Sequence, residues 1–231
     1  MSWALEADHI REDVVSMRQK TILVVGDYGE RAPYHPLDGV DTLLTRTFSE
    51  YLVSCTGNYD AFQEDFLRGY DLCISYLDCW DGGQARPDAL SDSQVGGLLC
   101  YVAGGGKLLN LHTGIADQGR YELAQLNGAY FTGHPPMREL VYQPRESRHP
   151  ALRGVREFTL QEEPYQFDFR FGTPVQMLME YTYEGNRYPA MWEHSFGLGK
   201  VMYFQPGHTP QNLEHPMVQK ILVQLAAYLT R

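Results

Sequence analysis

The 231-residue sequence has no apolar run approaching the roughly 20 residues that cross a bilayer. Its opening, MSWALEADHIREDVVSMRQK, carries acids where a signal peptide would carry an apolar block, so the expected location is cytoplasmic and no membrane partner is expected. Clusters of Lys and Arg are also missing. With 29 acidic against 19 basic residues the formal net charge is -10, which excludes the electrostatic footprint of a nucleic-acid binder. Cysteine is scarce: Cys55, Cys73, Cys79 and Cys100 show no CxxC spacing, and three of them sit inside apolar runs. Buried reduced thiols are expected rather than disulfides or a zinc cluster, with Cys79, in YLDCWDG, the one placed near a strand end and therefore exposed. Internal repeats, low-complexity segments and linkers are absent as well.

What is there is ordinary for a globular chain, 43% hydrophobic and 21% charged, at a length that buries one sizeable core. Residues 1–19 read as an extension in which Trp3, Leu5, Ile10, Val14 and Met17 are loosely periodic and suggest a peripheral helix. A single domain is expected over 20–231. It begins with TILVVGDYG, a β-branched run closed by Gly and Asp, as in a first buried parallel strand. Leu44, Phe48 and Leu52 repeat at helical spacing and predict a helix running into YLVSC. After a short helical AFQEDFLRG, DLCISYL predicts a buried strand. Ser91 and Gln94 form a capping box ahead of a helix whose face is Val95, Leu98, Leu99 and Val102; Gly104 to Gly106 stop it, and KLLNL follows as a strand. Strand, helix, strand alternation implies right-handed crossovers and a parallel sheet flanked by helices. In the C-terminal half RELVYQ, EFTLQ, YQFDFRF, QMLMEYTY and PAMWEH succeed one another with little helix between, which predicts added antiparallel strands. KVMYFQPGHT and an amphipathic helix opened by Pro216 close the chain.

Ligands of open α/β sheets bind outside the carboxyl ends of the strands. On this reading the first strand delivers Asp27 and a loop with His35, the second ends near Asp78, KLLNL ends on His112, and VMYFQ ends just before His208. Glu162 and Glu163 in QEEPYQF cannot share a direction on a strand; the plain reading is a solvated acidic pair, the alternative that one of them faces the site. N-L-H-T-G, with His112 followed by Thr113, stands where the nucleophile elbow G-x-C-x-G stands in class I glutamine amidotransferases, but it supplies no thiolate, so glutaminase activity is not expected.

GGGKLLNLHTG, FTGHPP, HPALRGVREFTLQEEPYQF and PAMWEHSFGLGKVMYFQPGHT, in this order, resemble the ThuA-like, or trehalose-utilisation, family over roughly residues 20–231. The resemblance implies a flavodoxin-like, class I glutamine-amidotransferase-like fold with histidine in place of the cysteine, and a link to disaccharides and their keto derivatives. It places His35 in the first loop, His112 at the elbow, Glu163 with Tyr165 in a Glu-x-Tyr element, and His208 in a Gly-His element. The family commonly shows Asp-Glu where this chain has Glu162-Glu163, and an aromatic residue after Gly-His where this chain reads TPQNLEHP. The second departure bears on substrate identity more than on the fold.

Two functions compete. In the first, an enzyme acts on a sugar or keto-sugar as isomerase, lyase or hydrolase, with catalytic candidates His112, His208 and Glu163. Its histidines either shuttle protons or, as His35, His112 and His208 together with Glu163, ligate a divalent metal such as zinc. The substrate-binding candidates are Asp27, His35, Asp78, Thr113, Tyr165 and Trp192. In the second, a non-catalytic protein binds a carbohydrate by stacking Trp80, Tyr165 and Trp192 on pyranose faces. The partner expected under both is a small-molecule carbohydrate, and a homo-oligomer is compatible with either.

Overall fold

The computed structural model describes residues 18–81, 84–86, 90–116, 119–170 and 172–231. The helix suggested within 1–19 therefore falls outside the described residues, apart from Arg18 and Gln19, which are in no regular element.

In chain order the first half contains β1 (Thr21–Gly26), α1 (Val40–Thr47), β2 (Leu52–Thr56), α2 (Glu64–Leu67), β3 (Leu72–Tyr76), the short pair β4 (Trp80–Asp81) and β5 (Gln84–Ala85), α3 (Asp92–Ala103), β6 (Lys107–Leu111) and α4 (Tyr121–Asn127). The second half adds β7 (Ala129–Gly133), β8 (Arg138–Pro144), β9 (Phe158–Glu162), β10 (Gln166–Phe169), β11 (Gln176–Tyr183), β12 (Asn186–Phe196), β13 (Gly199–Phe204), α5 (Pro210–Glu214) and α6 (Pro216–Leu229). Nine strands form one sheet in the order β2-β1-β3-β6-β13-β12-β11-β8-β9. The first five pair in parallel and the rest antiparallel, while β7 and β10 make a separate antiparallel ribbon. Among the described residues, no helix is long and apolar enough to cross a membrane.

Alternation along β1 shows why helices cover both faces. Ile22 and Val24 pack with Leu44 of α1 and Ile221 and Leu225 of α6, whereas Leu23 and Val25 pack with Leu67 of α2 and Val95 and Leu98 of α3. A parallel strand buried on both sides needs apolar residues at successive positions, and Ile22 to Val25 provide them. The capping box forms as the sequence predicts: Ser91 Oγ accepts from Gln94 N, and Gln94 Oε1 accepts from Ser91 N.

Two expectations are corrected. The apolar spacing of Leu44, Phe48 and Leu52 straddles an element boundary. Leu44 and Phe48 are buried at the end of α1, but Leu52 is exposed and opens edge strand β2. None of the four cysteines is in a disulfide, but Cys79 is buried and Cys100 is exposed on α3. Cys79 stays covered because its segment, just past β3, packs into the α3 face of the core with Leu77 and Leu90.

Candidate functional site

Successive parallel strands end on one edge of the sheet, and the chain uses four segments there. Past β1, the loop carrying His35 is tied to its strand by Leu37 N donating to Asp27 O at 2.6 Å. At the end of β6 the backbone turns sharply: His112 takes φ 47°, left-handed for a residue with a Cβ, and opens a short 3-10 helix, His112–Ile115. The turn can lie tight against β3 because Gly114 follows, where an added Cβ would stand 2.0 Å from Ser75 O. Gly207 and His208 follow β13, and Tyr76 of β3 donates its hydroxyl to Gly207 O at 2.8 Å. Glu163 arrives from the opposite margin of the sheet. The segment after β9 crosses to the ends of β6 and β13, where Gln205 Nε2 donates to Glu163 O at 2.6 Å.

These segments bring His35, His112, Glu163 and His208 together, with one donor atom of each within 4.8 Å of the others. His35 Nε2 is 3.3 Å from Glu163 Oε2 and 3.0 Å from His208 Nδ1. His112 Nε2 and His208 Nδ1 lie 3.4 and 3.3 Å from the same carboxylate oxygen. The cluster is closed on the His112 side, where the ring is wholly buried, and most open at His208, 19% exposed.

The outer nitrogens set the protonation pattern. His35 Nδ1 donates to Asp78 Oδ2 at 3.1 Å, and His112 Nδ1 donates to the carbonyl of Gln205 at 2.8 Å. Both inner Nε2 atoms are thereby turned toward Glu163, the arrangement that carboxylate and carbonyl partners impose on metal-binding histidines. Burial alone would lower the pKa of His35, but hydrogen bonds with Asp78 and Glu163 raise it to about 9. For His112, burial dominates and lowers its pKa despite the nearby Glu162 and Glu163. Burial would raise the Glu163 carboxyl, yet the imidazoles of His112, His208 and His35 grouped around it hold it far below the ordinary carboxylate range.

A divalent ion suits this arrangement. Neutral His112 already spends its proton on Gln205, so its Nε2 lone pair faces a carboxylate oxygen; among the described residues this buried nitrogen has no hydrogen-bond partner. Two facing lone pairs repel, and a cation between them reverses the sign. Tetrahedral zinc, with bonds of about 2.0–2.1 Å, would hold its donors about 3.3 Å apart. Four of the donor pairs already stand at 3.0, 3.3, 3.3 and 3.4 Å.

Of the remaining sequence candidates, Asp78 and Tyr165 join the cluster, the latter through its ring, 4.7 Å from that of His112. Three others stand apart from it. Asp27 is wholly buried and accepts from Tyr59 Oη at 2.6 and 2.7 Å and from Arg86 Nη2 at 2.9 Å, a network that ties together the loops after β1, β2 and β5. Thr113 is buried at the elbow with no hydrogen-bond partner for Oγ1 among the described residues. Trp192 is a core residue, packed on Tyr203, Phe167 and Phe169 with Nε1 donating to Asn127 O at 3.0 Å, so it has no face for a sugar. The side chain of Trp80 lies outside the described residues.

The acidic pair is not solvated. Glu163, its side chain 12% exposed, enters the cluster, and Glu162, wholly buried, accepts backbone N–H groups behind it. The residue that sequence reasoning missed is His134. Its Nε2 is 3.7 Å from Glu163 Oε1, the oxygen the other histidines do not share, and its ring stacks on Tyr165 at 5.2 Å. FTGHPP, which contains it, was the available signal.

A nine-stranded mixed sheet with a parallel core, helices on both faces and a strand-to-helix elbow at the end of β6 is the class I glutamine-amidotransferase-like α/β fold, here with histidine at the elbow. The chain belongs to the ThuA family, described as trehalose utilisation, which it matches over residues 25–229. A ThuA-like protein from Bacteroides uniformis is similar in structure, with a TM-score of 0.73 at 14% identity over 91% of both chains. A cytoplasmic protein from Salmonella typhimurium has a TM-score of 0.60 at 14% identity, covering 91% of this chain and all 100% of its own. The β-galactosidase of Rahnella sp. R3 contains a similar unit, with a TM-score of 0.65 at 15% identity over 91% of this chain and 31% of the galactosidase. None of the curated proteins matches the chain.

Proposed function

We propose that this ThuA-family chain is a cytoplasmic enzyme of carbohydrate metabolism that holds a divalent metal, zinc, on His35, His112, Glu163 and His208 and acts on a disaccharide or keto-sugar as an isomerase, lyase or hydrolase. The observation that carries this reading is the orphaned, buried Nε2 of His112 facing Glu163 Oε2 at 3.4 Å. A bound ion would supply Lewis acidity, polarising a carbonyl or activating water. The protein's own groups do the rest. Asp78 and the Gln205 carbonyl keep the histidine protons on the outer nitrogens, and Tyr165 shields the rings of His112 and His134. His134, 29% exposed, offers a polar ring on the open side, where substrate hydroxyls arrive. The elbow presents an imidazole rather than a thiolate, so the reading excludes glutaminase chemistry. Support for the stacking alternative weakens with Trp192 in the core and Tyr165 buried. The names of the Salmonella relative and of the family support the cytoplasmic and carbohydrate assignments.

Metal analysis of the purified full-length chain tests the proposal, followed by calorimetric titration and turnover assays with keto-disaccharides. One equivalent of metal that is lost together with turnover in His112→Asn is the expected result. A protein that binds no divalent ion and turns over no keto-sugar overturns it.

A further inference from the structure

Directly behind the cluster lies a carboxylate with no part in the ligand set. Glu162 is wholly buried. Its Oε2 accepts from Gly207 N at 2.8 Å, His208 N at 3.1 Å and Asn212 Nδ2 at 2.9 Å, while Oε1 accepts from Glu163 N at 3.0 Å. Each contact is an N–H donated to oxygen, the pattern of a carboxylate, and none of these four donors carries a charge. Isolating an anion from water in this way is costly unless something else profits from the charge.

The geometry identifies the beneficiary. Two of the four contacts come from the backbones of His208 and Glu163, residues that supply donor atoms to the cluster. The outer nitrogen of a third, His112 Nδ1, is 4.0 Å from Glu162 Oε1. One side chain thus grips the turn after β13 and the segment after β9, two parts of the chain 45 positions apart at the Gly207 contact.

Resting on the metal reading above, we infer that Glu162 is a positioning residue for the metal: it fixes His208 and Glu163 relative to each other and places a buried negative charge behind the ion they hold. The two contributions can be separated. Glu162→Gln keeps the reach and removes the charge, its one acceptor oxygen serving Gly207, His208 and Asn212 while the contact from Glu163 N is given up, whereas Glu162→Asp keeps the charge and shortens the reach by one methylene.

The experiment is a cobalt(II) titration of the full-length chain and both variants, with affinity measured against a chelator, the cobalt absorption band recorded, and folding followed by circular dichroism. E162Q is expected to weaken cobalt affinity about 10- to 100-fold, the usual effect of losing an outer-shell partner, while saturating at the same stoichiometry. E162D is expected to weaken it and to shift the absorption band as His208 moves. A purely structural role would lower thermal stability and leave affinity and spectrum at wild-type values, and that result overturns the inference. If E162Q does not fold, E162D decides alone by the same two readouts. Wild-type protein that takes up no cobalt overturns the metal reading itself, an outcome distinct from a wild type that binds and variants that bind equally well.

Discussion

His35 and Asp78, 43 positions apart, meet at the ends of adjacent strands β1 and β3 with Nδ1 3.1 Å from Oδ2. The carboxylate holds the imidazole proton on the outer nitrogen and turns Nε2 toward Glu163 and His208. Asp78→Asn should therefore lower metal affinity about 10- to 100-fold without changing the number of ions bound. Competition with a chelator measures it, and unchanged affinity would show that the orientation of His35 is set elsewhere.

The same contact makes the metal-free protein sensitive to pH. The folded value of His35 lies above the ordinary 6.5, at about 9, so its stabilisation is complete below about 6.5 and is lost as pH rises through about 9. Melting temperature of chelator-treated protein should fall across that window. His35→Asn should flatten the profile, and a wild-type profile that is already flat there would remove His35 as the titrating group.

At the elbow, His112→Asn separates ligand from scaffold. Asn is among the few residues that tolerate the left-handed backbone required at φ 47°. The variant should keep the wild-type circular dichroism spectrum and lose bound metal. Metal retained at full stoichiometry would exclude His112 as a ligand.

Gly114→Ala tests the packing of the turn rather than its chemistry. The new Cβ would meet the backbone oxygen of Ser75 at 2.0 Å, so the elbow must move away from β3. Overpacking of this kind costs on the order of 1–3 kcal/mol. Chemical denaturation should register the loss, and wild-type stability would show that the turn yields more easily than its contacts suggest.

His134→Ala should leave metal content at the wild-type level, because the ring touches Glu163 Oε1 and not the oxygen shared by the other histidines. Turnover of a keto-disaccharide should fall by roughly 10²-fold or more, within the range for losing a positioned polar group. Loss of metal instead would make His134 a ligand.

The parallel half of the fold was legible because its signals are local. TILVVG and KLLNL are strands buried on both faces, and the rule that such strands end on one edge led to His35, Asp78, His112 and His208. Glu162 misled because an acidic pair reads as solvated, and the donors that make burial tolerable come from Gly207, His208 and Asn212, on a segment with no local trace in QEEPYQF. His134 stayed hidden for a related reason. Its approach to Glu163 depends on the ribbon of β7 with β10, a non-local pairing that hydrophobic periodicity does not encode. Trp192 and Asp27 carry chemistry that suits a site, and only tertiary contacts reveal them as core and loop tie.

The donors of the cluster are drawn from segments as far apart as His35 and His208, 173 positions along the chain. An ion shared by them would act as a reversible cross-link, closing loops that together enclose most of the sheet. An unfolded chain cannot hold the four groups in register, so binding free energy becomes folding free energy and the melting temperature should climb with the logarithm of free metal. The abundance of the folded protein in a cell would then follow metal supply.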